Sequence, residues 1–414
     1  GSIKDTVDNS KTAYINNGTI NIGGANSSST GIRVNHGTIE NNSLVKMNDG
    51  IGLYGTNGSK ITNKANGVID ITSSSNYGVG ISAFLSGRTA QDYGTDKLIS
   101  KLVATSGGNL SSTIKTIDIT NEGKIKIAGK GIGIYANNNV VDPAYPHHNF
   151  NNHVTKENAV VNNKASLELG DESIGILTKK ATINLTGTGT NDISVGKKGI
   201  GVFADDSEVS LLSNYGIEVK DEGTGIFVKD GSQVSAGNLK LTYTGANNKS
   251  AVGMFYDDDS DNIKTNDTNI ELDDKSGTTE GLIALYVKKK SGAGKLVNTA
   301  DIKGDKGYGI VTEGSEVDNS GNITFNNVIS KDRPSVGMFS REHSGSFGNM
   351  RNSGTITMNN KNAVGMLGVL GSTLINTKEI SLGGVSSAGM YGEDSDLTNS
   401  TTASEINVSK EASA

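Results

Sequence analysis

The side chains best suited to chemistry are concentrated between residues 137 and 160. This segment holds two of the three prolines and three of the five histidines in the chain. Proline restricts the backbone, and aromatic or imidazole rings can stack on a ligand, so the composition predicts a projecting contact loop. The alternative is an exposed loop with no specific partner. The candidate binding residues are Tyr145, His147, His148, Phe150 and His153.

Neither the histidines nor the acidic residues are spaced as a metal site requires. The histidine spacing is irregular, and no carboxylate or thiolate completes an evident zinc ligand set. The acidic run Asp257–Asp261 could bind calcium, but an EF-hand loop needs glycine and glutamate where Asn262 and Thr268 stand. We interpret the run as a solvated acidic turn. We predict no metal site and no cofactor.

A short motif, glycine–apolar–glycine–apolar–apolar, recurs along almost the whole chain and must position these segments. Its central glycines are 24 residues apart from Gly201 to Gly225 and 28 apart from Gly309 to Gly337. A period in this range is typical of a solenoid or an array. The copies centre on Gly52, Gly80, Gly133, Gly175, Gly201, Gly225, Gly253, Gly309, Gly337, Gly365 and Gly389, with a weaker copy at Ala284–Tyr286.

Two further strand patterns lie within the repeats. One reads Ser-x-Val, as at Ser207–Val209, and the other follows an Asn-x-Gly turn, as at Gly321–Phe325. The second alternates apolar with polar residues, and a period of two marks strands with one buried face. Three short strands and three turns in roughly 25 residues predict an all-β fold, a right-handed parallel β-helix of about 12 or 13 coils.

Two insertions interrupt the predicted coils. Apolar residues at helical spacing over Asp96–Val103 predict a short helix in an insertion at about residues 84–116, and we expect it to pack on a coil. The second insertion is the proline- and histidine-rich loop at residues 137–160. Gly1–Ser2 is interpreted as a cloning scar. The remainder, residues 3–414, is predicted to be a single β-helix fragment.

Strict alternation also predicts which side chains face the core. The inward set would be Ile200, Val202, Ile226, Met254, Ile310, Met338 and Met366. The central glycines between such residues would then face outward as a strip of bare backbone. The aromatic residues that follow them would either flank this strip as a ligand track or turn inward at a corner; we favour the inward stack, because large aromatic side chains are mostly buried.

Composition excludes several classes of protein. The chain has no cysteine, which removes disulfides, thiol nucleophiles and thiolate metal sites. Its net charge is −6 and its basic residues are scattered, so we expect no nucleic-acid partner. No apolar run approaches the ~20 residues of a membrane-spanning helix.

Enzymatic activity would need clustered catalytic groups. Parallel β-helices host polysaccharide lyases and hydrolases, which use paired carboxyl groups or a base beside a neutralising cation. Carboxylates are plentiful here, but no recurring cluster of them lines up on one face of the repeats. We therefore predict a protein that is not an enzyme, with a polysaccharide-active enzyme as the less favoured alternative.

The glycine motif, the Asn-x-Gly strand and the cysteine-free, Lys- and Asn-rich composition resemble the passenger repeats of large fusobacterial autotransporter adhesins. The resemblance spans roughly residues 14 to 408 and implies type V secretion. It implies an outer-membrane barrel elsewhere in the parent protein, a passenger on the surface of a Gram-negative bacterium, and attachment to a host-cell protein or glycan or to other bacteria. The remaining alternative is a purely structural shaft, with recognition elsewhere in the parent protein.

Overall fold

In the computed structural model of the chain, short parallel strands form long sheets, and every third strand along the chain belongs to the same sheet. It describes residues 13–23, 29–35, 37–73, 77–85, 112, 115–139, 154–246, 249–257, 264–276, 281–288, 295–326, 335–400 and 404–409. The chain divides into two compact units. Unit 1 comprises residues 1–187, 192–196 and 202–212, and unit 2 comprises residues 188–191, 197–201 and 213–414.

Nineteen strands lie in the described residues of unit 1, the last but one of them beginning with two residues of unit 2, and one 3₁₀ turn is at Lys156–Asn158. The strands are β1 (Ala13–Asn16), β2 (Ile20–Ile22), β3 (Thr30–Asn35), β4 (Thr38–Asn41), β5 (Leu44–Met47), β6 (Gly50–Thr56), β7 (Ser59–Asn63), β8 (Val68–Ile71), β9 (Gly78–Phe84), β10 (Ile117–Asn121), β11 (Lys124–Ile127), β12 (Gly131–Asn137), β13 (Ala159–Asn163), β14 (Leu167–Leu169), β15 (Ile174–Lys179), β16 (Thr182–Leu185), β17 (Ile193–Ser194), β18 (Ile200–Asp205) and β19 (Glu208–Leu211).

Unit 2 continues the same pattern of short strands over its described residues. They are β20 (Asn214–Val219), β21 (Thr224–Lys229), β22 (Gln233–Val234), β23 (Gly237–Tyr243), β24 (Val252–Asp257), β25 (Lys264–Asn266), β26 (Thr268–Asp274), β27 (Ile283–Lys288), β28 (Lys295–Asn298), β29 (Ile302–Gly304), β30 (Tyr308–Glu313), β31 (Glu316–Asn319), β32 (Ile323–Phe325), β33 (Val336–Arg341), β34 (Asn349–Asn352), β35 (Ile356–Met358), β36 (Val364–Val369), β37 (Thr373–Asn376), β38 (Ile380–Leu382), β39 (Ala388–Glu393), β40 (Asp396–Asn399) and β41 (Ile406–Val408).

Each group of three successive strands forms one coil, and equivalent strands of neighbouring coils pair in parallel. In unit 1, β1 pairs with β4 and β4 with β7; in unit 2, β20 pairs with β23 and β23 with β26. The fold is a right-handed parallel β-helix, as the repeat period predicted. Among the described residues, no helix is long and apolar enough to cross a membrane. The predicted helix at Asp96–Val103 lies outside the described residues.

The core consists of columns of stacked apolar side chains, and the prediction that Ile200 belongs to them is wrong. Val202, Ile226, Met254, Ile310, Met338 and Met366 are completely buried, as predicted. Ile200 is instead partly exposed, because the residue that follows it, Gly201, turns inward and shifts the alternation by one position. Gly201 and Val202 are therefore both inward, and the same exception to alternation recurs at Gly225 and Ile226.

The central glycines thus face the core, which overturns the predicted outward strip of bare backbone. A Cβ atom on Gly225 would lie 2.5 Å from the carbonyl oxygen of Gly253 in the next coil. On Gly201 it would also lie 2.7 Å from Cγ2 of Ile217, which belongs to the neighbouring sheet. Only glycine allows this close approach of backbone to both neighbours.

Asparagines at the end of one strand in each coil form buried ladders. In unit 2, Nδ2 of Asn298 donates to Oδ1 of Asn319 (2.7 Å), and Nδ2 of Asn319 donates to Oδ1 of Asn352 (2.8 Å). The second N–H of Asn319 donates to the carbonyl oxygen of Gly321, 2.8 Å away, in the following turn. Each buried amide is therefore satisfied by the coil after it and by its own turn. Unit 1 has the same arrangement over Asn16, Asn41, Asn63, Asn121 and Asn163.

Replacing Asn319 with leucine is expected to destabilise unit 2 by about 2–4 kcal/mol, because buried groups on Asn298, Asn352 and Gly321 would lose a partner. Leucine fits the site in principle, since Leu185 follows Asn163 in register in unit 1. Urea unfolding of the variant measures the loss. The matched control is Asn322→Leu, at an exposed position of the same turn, which should cost less than about 1 kcal/mol. Equal effects of the two substitutions would contradict a role for the ladder.

Candidate functional site

The predicted binding residues Tyr145, His147, His148, Phe150 and His153 all lie outside the described residues. The flanks of their segment are described and belong to the coil. Asn137 ends β12, and β13 begins at Ala159, so the part of the predicted insertion without described structure spans residues 140–153.

Buried hydrogen bonds hold the two flanks of this segment together. The hydroxyl of Thr116 donates to Oδ1 of Asn138 (2.7 Å), and Nδ2 of Asn138 donates to the carbonyl oxygen of Thr155 (3.0 Å). Asn138 and Asn158 are completely buried. The bond from Asn138 to Thr155 joins the flank before the segment to the flank after it. The two ends of the segment are therefore held close together by hydrogen bonds among the described residues on either side of it.

The acidic run at residues 257–261 has only its first member, Asp257, within the described structure. Across the described ranges, no group of three or more His, Asp or Glu side chains is arranged to hold a metal ion. The other four residues of the run lie outside the described residues, so the interpretation as a solvated acidic turn stays a prediction.

The aromatic residues after the glycines form a row on the outer face of their sheet, not the internal stack that we favoured. In unit 2, Phe227, Phe255 and Tyr286 are in register and half-buried. Their ring centroids lie 4.7 Å apart in both pairs, with the ring planes tilted by 59° and 60°. Each ring is therefore in contact with the rings of adjacent coils, which stabilises the stack and leaves little ring face for a ligand.

A polar groove of about 460 Å³ lies on another outer face within unit 2. We call it the amide groove. Its lining includes Thr188, Gly189, Asn214, Asn238, Leu239, Lys240, Asn269, Ile270, Glu271, Asp301 and Lys303. The strands β20, β23, β26 and β29 carry most of these residues, and the outward positions of those strands supply the polar side chains.

A row of exposed amides follows the strands of the amide groove. Nδ2 of Asn238 donates to Oδ1 of Asn214, and Nδ2 of Asn269 donates to Oδ1 of Asn238, each over 2.9 Å. The backbone N–H of Asp301 donates to Oδ1 of Asn269, also over 2.9 Å. Because the row is in register with the strands, it holds its side chains in fixed orientations.

Ion pairs form a second row beside these amides. Nζ of Lys303 lies 2.8 Å from a carboxylate oxygen of Glu271, and Nζ of Lys240 lies 2.9 Å from Asp273 and 3.5 Å from Glu271. The hydrogen bond from Lys303 lowers the pKa of Glu271 against the opposing effect of burial. The hydrogen bond to Asp273 raises the pKa of Lys240. Glu271 and Lys240 are therefore charged at neutral pH, and each is paired with an oppositely charged side chain.

The amide groove is not among the sites predicted from the sequence. Three asparagines, Asn214, Asn238 and Asn269, stand at outward strand positions in three successive coils. This recurrence in the sequence could have indicated a row of amides on one face. The groove also requires the segment at Thr188–Asn191 to lie against Gly216. A Cβ atom on that glycine would be 2.7 Å from Gly189 C and from Thr190 N. No local pattern in the sequence indicates that contact.

Comparison with known proteins identifies a family for the chain. The family model of the BigA third pectate lyase-like domain matches residues 158–402, which is well over half of the chain and includes every residue of the amide groove. Searches of the curated proteins and of the solved structures found no match.

Proposed function

Because the chain belongs to the family of the BigA third pectate lyase-like domain, we propose that it is a surface-exposed β-helix of a bacterial adhesin. The repeat motifs favour the passenger of a fusobacterial-type autotransporter on the outer surface of a Gram-negative cell. Its partner would be a host-cell protein or glycan, or the surface of another bacterium. Exposed segments carried by rigid coils would make the contacts.

The observation that carries this proposal is that hydrogen bonds join the two flanks of residues 140–153. Asn138 and Thr155, on either side of the segment, are hydrogen-bonded to each other, so its two ends lie close together. A segment rich in aromatic and histidine side chains on such a base has the composition of a recognition element. The family match supports the β-helix scaffold and does not reach this segment, since it begins at residue 158.

We further propose that the protein is not an enzyme. The amide groove is lined by the carboxylates of Glu271 and Asp301, and the pKa of Glu271 is shifted by its neighbours. A general acid for glycoside hydrolysis needs a raised pKa, whereas the hydrogen bond from Lys303 lowers the pKa of Glu271. That direction supports a binding role over a catalytic one.

Replacing residues 140–153 with an Asn-Gly turn is expected to leave folding intact and to reduce attachment to cells about tenfold or more. Folding is checked by thermal unfolding, and attachment is measured with purified protein on host cells and on bacteria. The control replaces residues 289–294 of unit 2 by the same turn. Unchanged attachment would contradict recognition by this segment and favour a structural shaft. Loss of folding would contradict the anchoring of its flanks.

A further inference from the structure

We propose that the amide groove binds an uncharged, hydroxyl-rich ligand, namely a short segment of neutral glycan. The proposal concerns a different surface from residues 140–153 and does not depend on them. It rests on the hydrogen-bonding capacity of the exposed amides, on their spacing, on the balance of charge, and on the wall that closes one end of the groove.

The amides of Asn238 and Asn269 retain hydrogen-bonding capacity that faces the groove. Each uses one N–H and one oxygen lone pair in the row. A primary amide has two N–H donors and two lone pairs, so each keeps one donor and one acceptor. A pair of neighbouring sugar hydroxyls also combines a donor and an acceptor, and matches such an amide in a bidentate manner.

The spacing of the amides suits a polymer with repeating hydroxyl pairs. The residues occupy equivalent positions on paired parallel strands: Asn214 is in register with Asn238, and Asn238 with Asn269. Adjacent strands of a sheet lie roughly 4.8 Å apart, so the same recognition group recurs at that interval. Successive rings of an extended glycan repeat on a comparable length.

The charges that line the groove are balanced. Lys240 and Lys303 contribute two positive charges, and Glu271 and Asp301 contribute two negative charges. Lys303 is paired directly with Glu271 at 2.8 Å. The balance gives no net attraction for a polyuronate or for a cation, and an uncharged ligand avoids the loss of these ion pairs.

The shape of the groove favours a sugar over an extended peptide. Its volume of about 460 Å³ falls within the range of about 300–1,000 Å³ that is usual for small-ligand sites. Gly189 and Thr190 lie against Gly216 and close one end. The apolar lining residues Leu239 and Ile270 are almost completely buried, each 1% exposed. Polar and apolar atoms line the groove in similar measure, which suits the mixed hydroxyl and C–H surface of a sugar ring.

Ligand-observed saturation-transfer NMR and calorimetry on the full chain test the proposal. The probes are maltotetraose, cellotetraose and chitotetraose, with trigalacturonate and a Gly-Ser hexapeptide as comparators. At least one neutral tetrasaccharide should bind, and its Kd should change less than about twofold between 50 and 500 mM salt, because no charged contact is screened. Preferential binding of trigalacturonate, or of the peptide, would overturn the assignment, as would binding of no neutral probe.

Matched variants localise the site. The double change Asn238→Leu with Asn269→Leu should weaken binding of the neutral probe at least about tenfold. The control is Asn162→Leu with Asn184→Leu, another amide pair with Nδ2 of Asn184 donating to Oδ1 of Asn162 over 2.9 Å, on an outer face of unit 1. It should leave binding unchanged. Equal binding by both double variants would overturn the proposal.

Two further variants separate loss of the site from loss of folding and from loss of adhesion. Asn214→Leu, at the end of the row, is a milder change for use if the double variant unfolds, and it should also weaken binding of the neutral probe. Unchanged binding by a folded Asn214→Leu protein would count against the site. The chain with residues 140–153 replaced should bind the probe as the parent does, so this proposal and adhesion through that segment fail separately.

Discussion

Replacing Gly337 with valine is expected to destabilise unit 2 by about 3 kcal/mol or more. A Cβ atom at this position would lie 2.5 Å from the carbonyl oxygen of Gly365 and 2.8 Å from Cγ2 of Ile356. The carbonyl belongs to the next coil and the isoleucine to the neighbouring sheet, so neither can move without disturbing the ladder. Val336 and Met338 on either side are completely buried, which leaves no space for relaxation.

The measurement is urea unfolding combined with hydrogen exchange, which should show the loss of protection first in the coils next to Gly337. Gly18→Val is the control, because nothing lies within 4 Å of a Cβ atom there. Gly253→Ala should fall between the two, since the next coil already carries Ala284, completely buried, in the equivalent position. Parent-like unfolding of the Gly337→Val protein would mean that the glycines face outward after all.

A second large effect is expected from Ile226→Asp. Ile226 is completely buried and lies in register with Met254 of the next coil. An aspartate there would be an unpaired charge in the core, at a cost of about 3–5 kcal/mol or a strongly raised carboxyl pKa. If the aspartate becomes neutral when buried, the unfolding midpoint of the variant should fall as the pH rises above the ordinary range of Asp, because the unfolded state ionises first.

The matched control for this substitution is Ile200→Asp. Ile200 precedes the central glycine of its motif and is partly exposed, whereas Ile226 follows the central glycine of the next copy and is completely buried. The control should cost clearly less, on the order of 1 kcal/mol. Unfolding of both variants at several pH values provides the comparison. Similar losses would show that the inward and outward assignments on this sheet are incorrect.

The sequence by itself was sufficient to identify the parallel β-helix. Repeated short strands with a period of 24 or 28 residues cannot close a core within one repeat, so stacking of coils follows from the spacing. Alternation within a strand also assigned most of the core correctly, including Met254, Met338 and Met366. These features depend on neighbours within one strand or on one period, and both are visible in a linear chain.

The orientation of the glycines and of the aromatic row was decided only by tertiary structure. Strict alternation placed Ile200 inward and Gly201 outward, and the folded chain reverses both. The reversal allows the glycine backbone to approach the carbonyl of the next coil and the side chains of the adjacent sheet. Phe227 and its equivalents follow an inward residue such as Ile226, so alternation places them on the outer face, where they stack on one another.

The amide groove likewise depends on contacts between residues far apart in sequence. Asn214, Asn238 and Asn269 form one row only because β20, β23 and β26 pair in that register. The wall at Gly189 exists because it packs on Gly216 in the following coil. Local propensity determines that each of these segments is a strand or a turn, whereas the packing of one coil on the next determines which side chains share a surface.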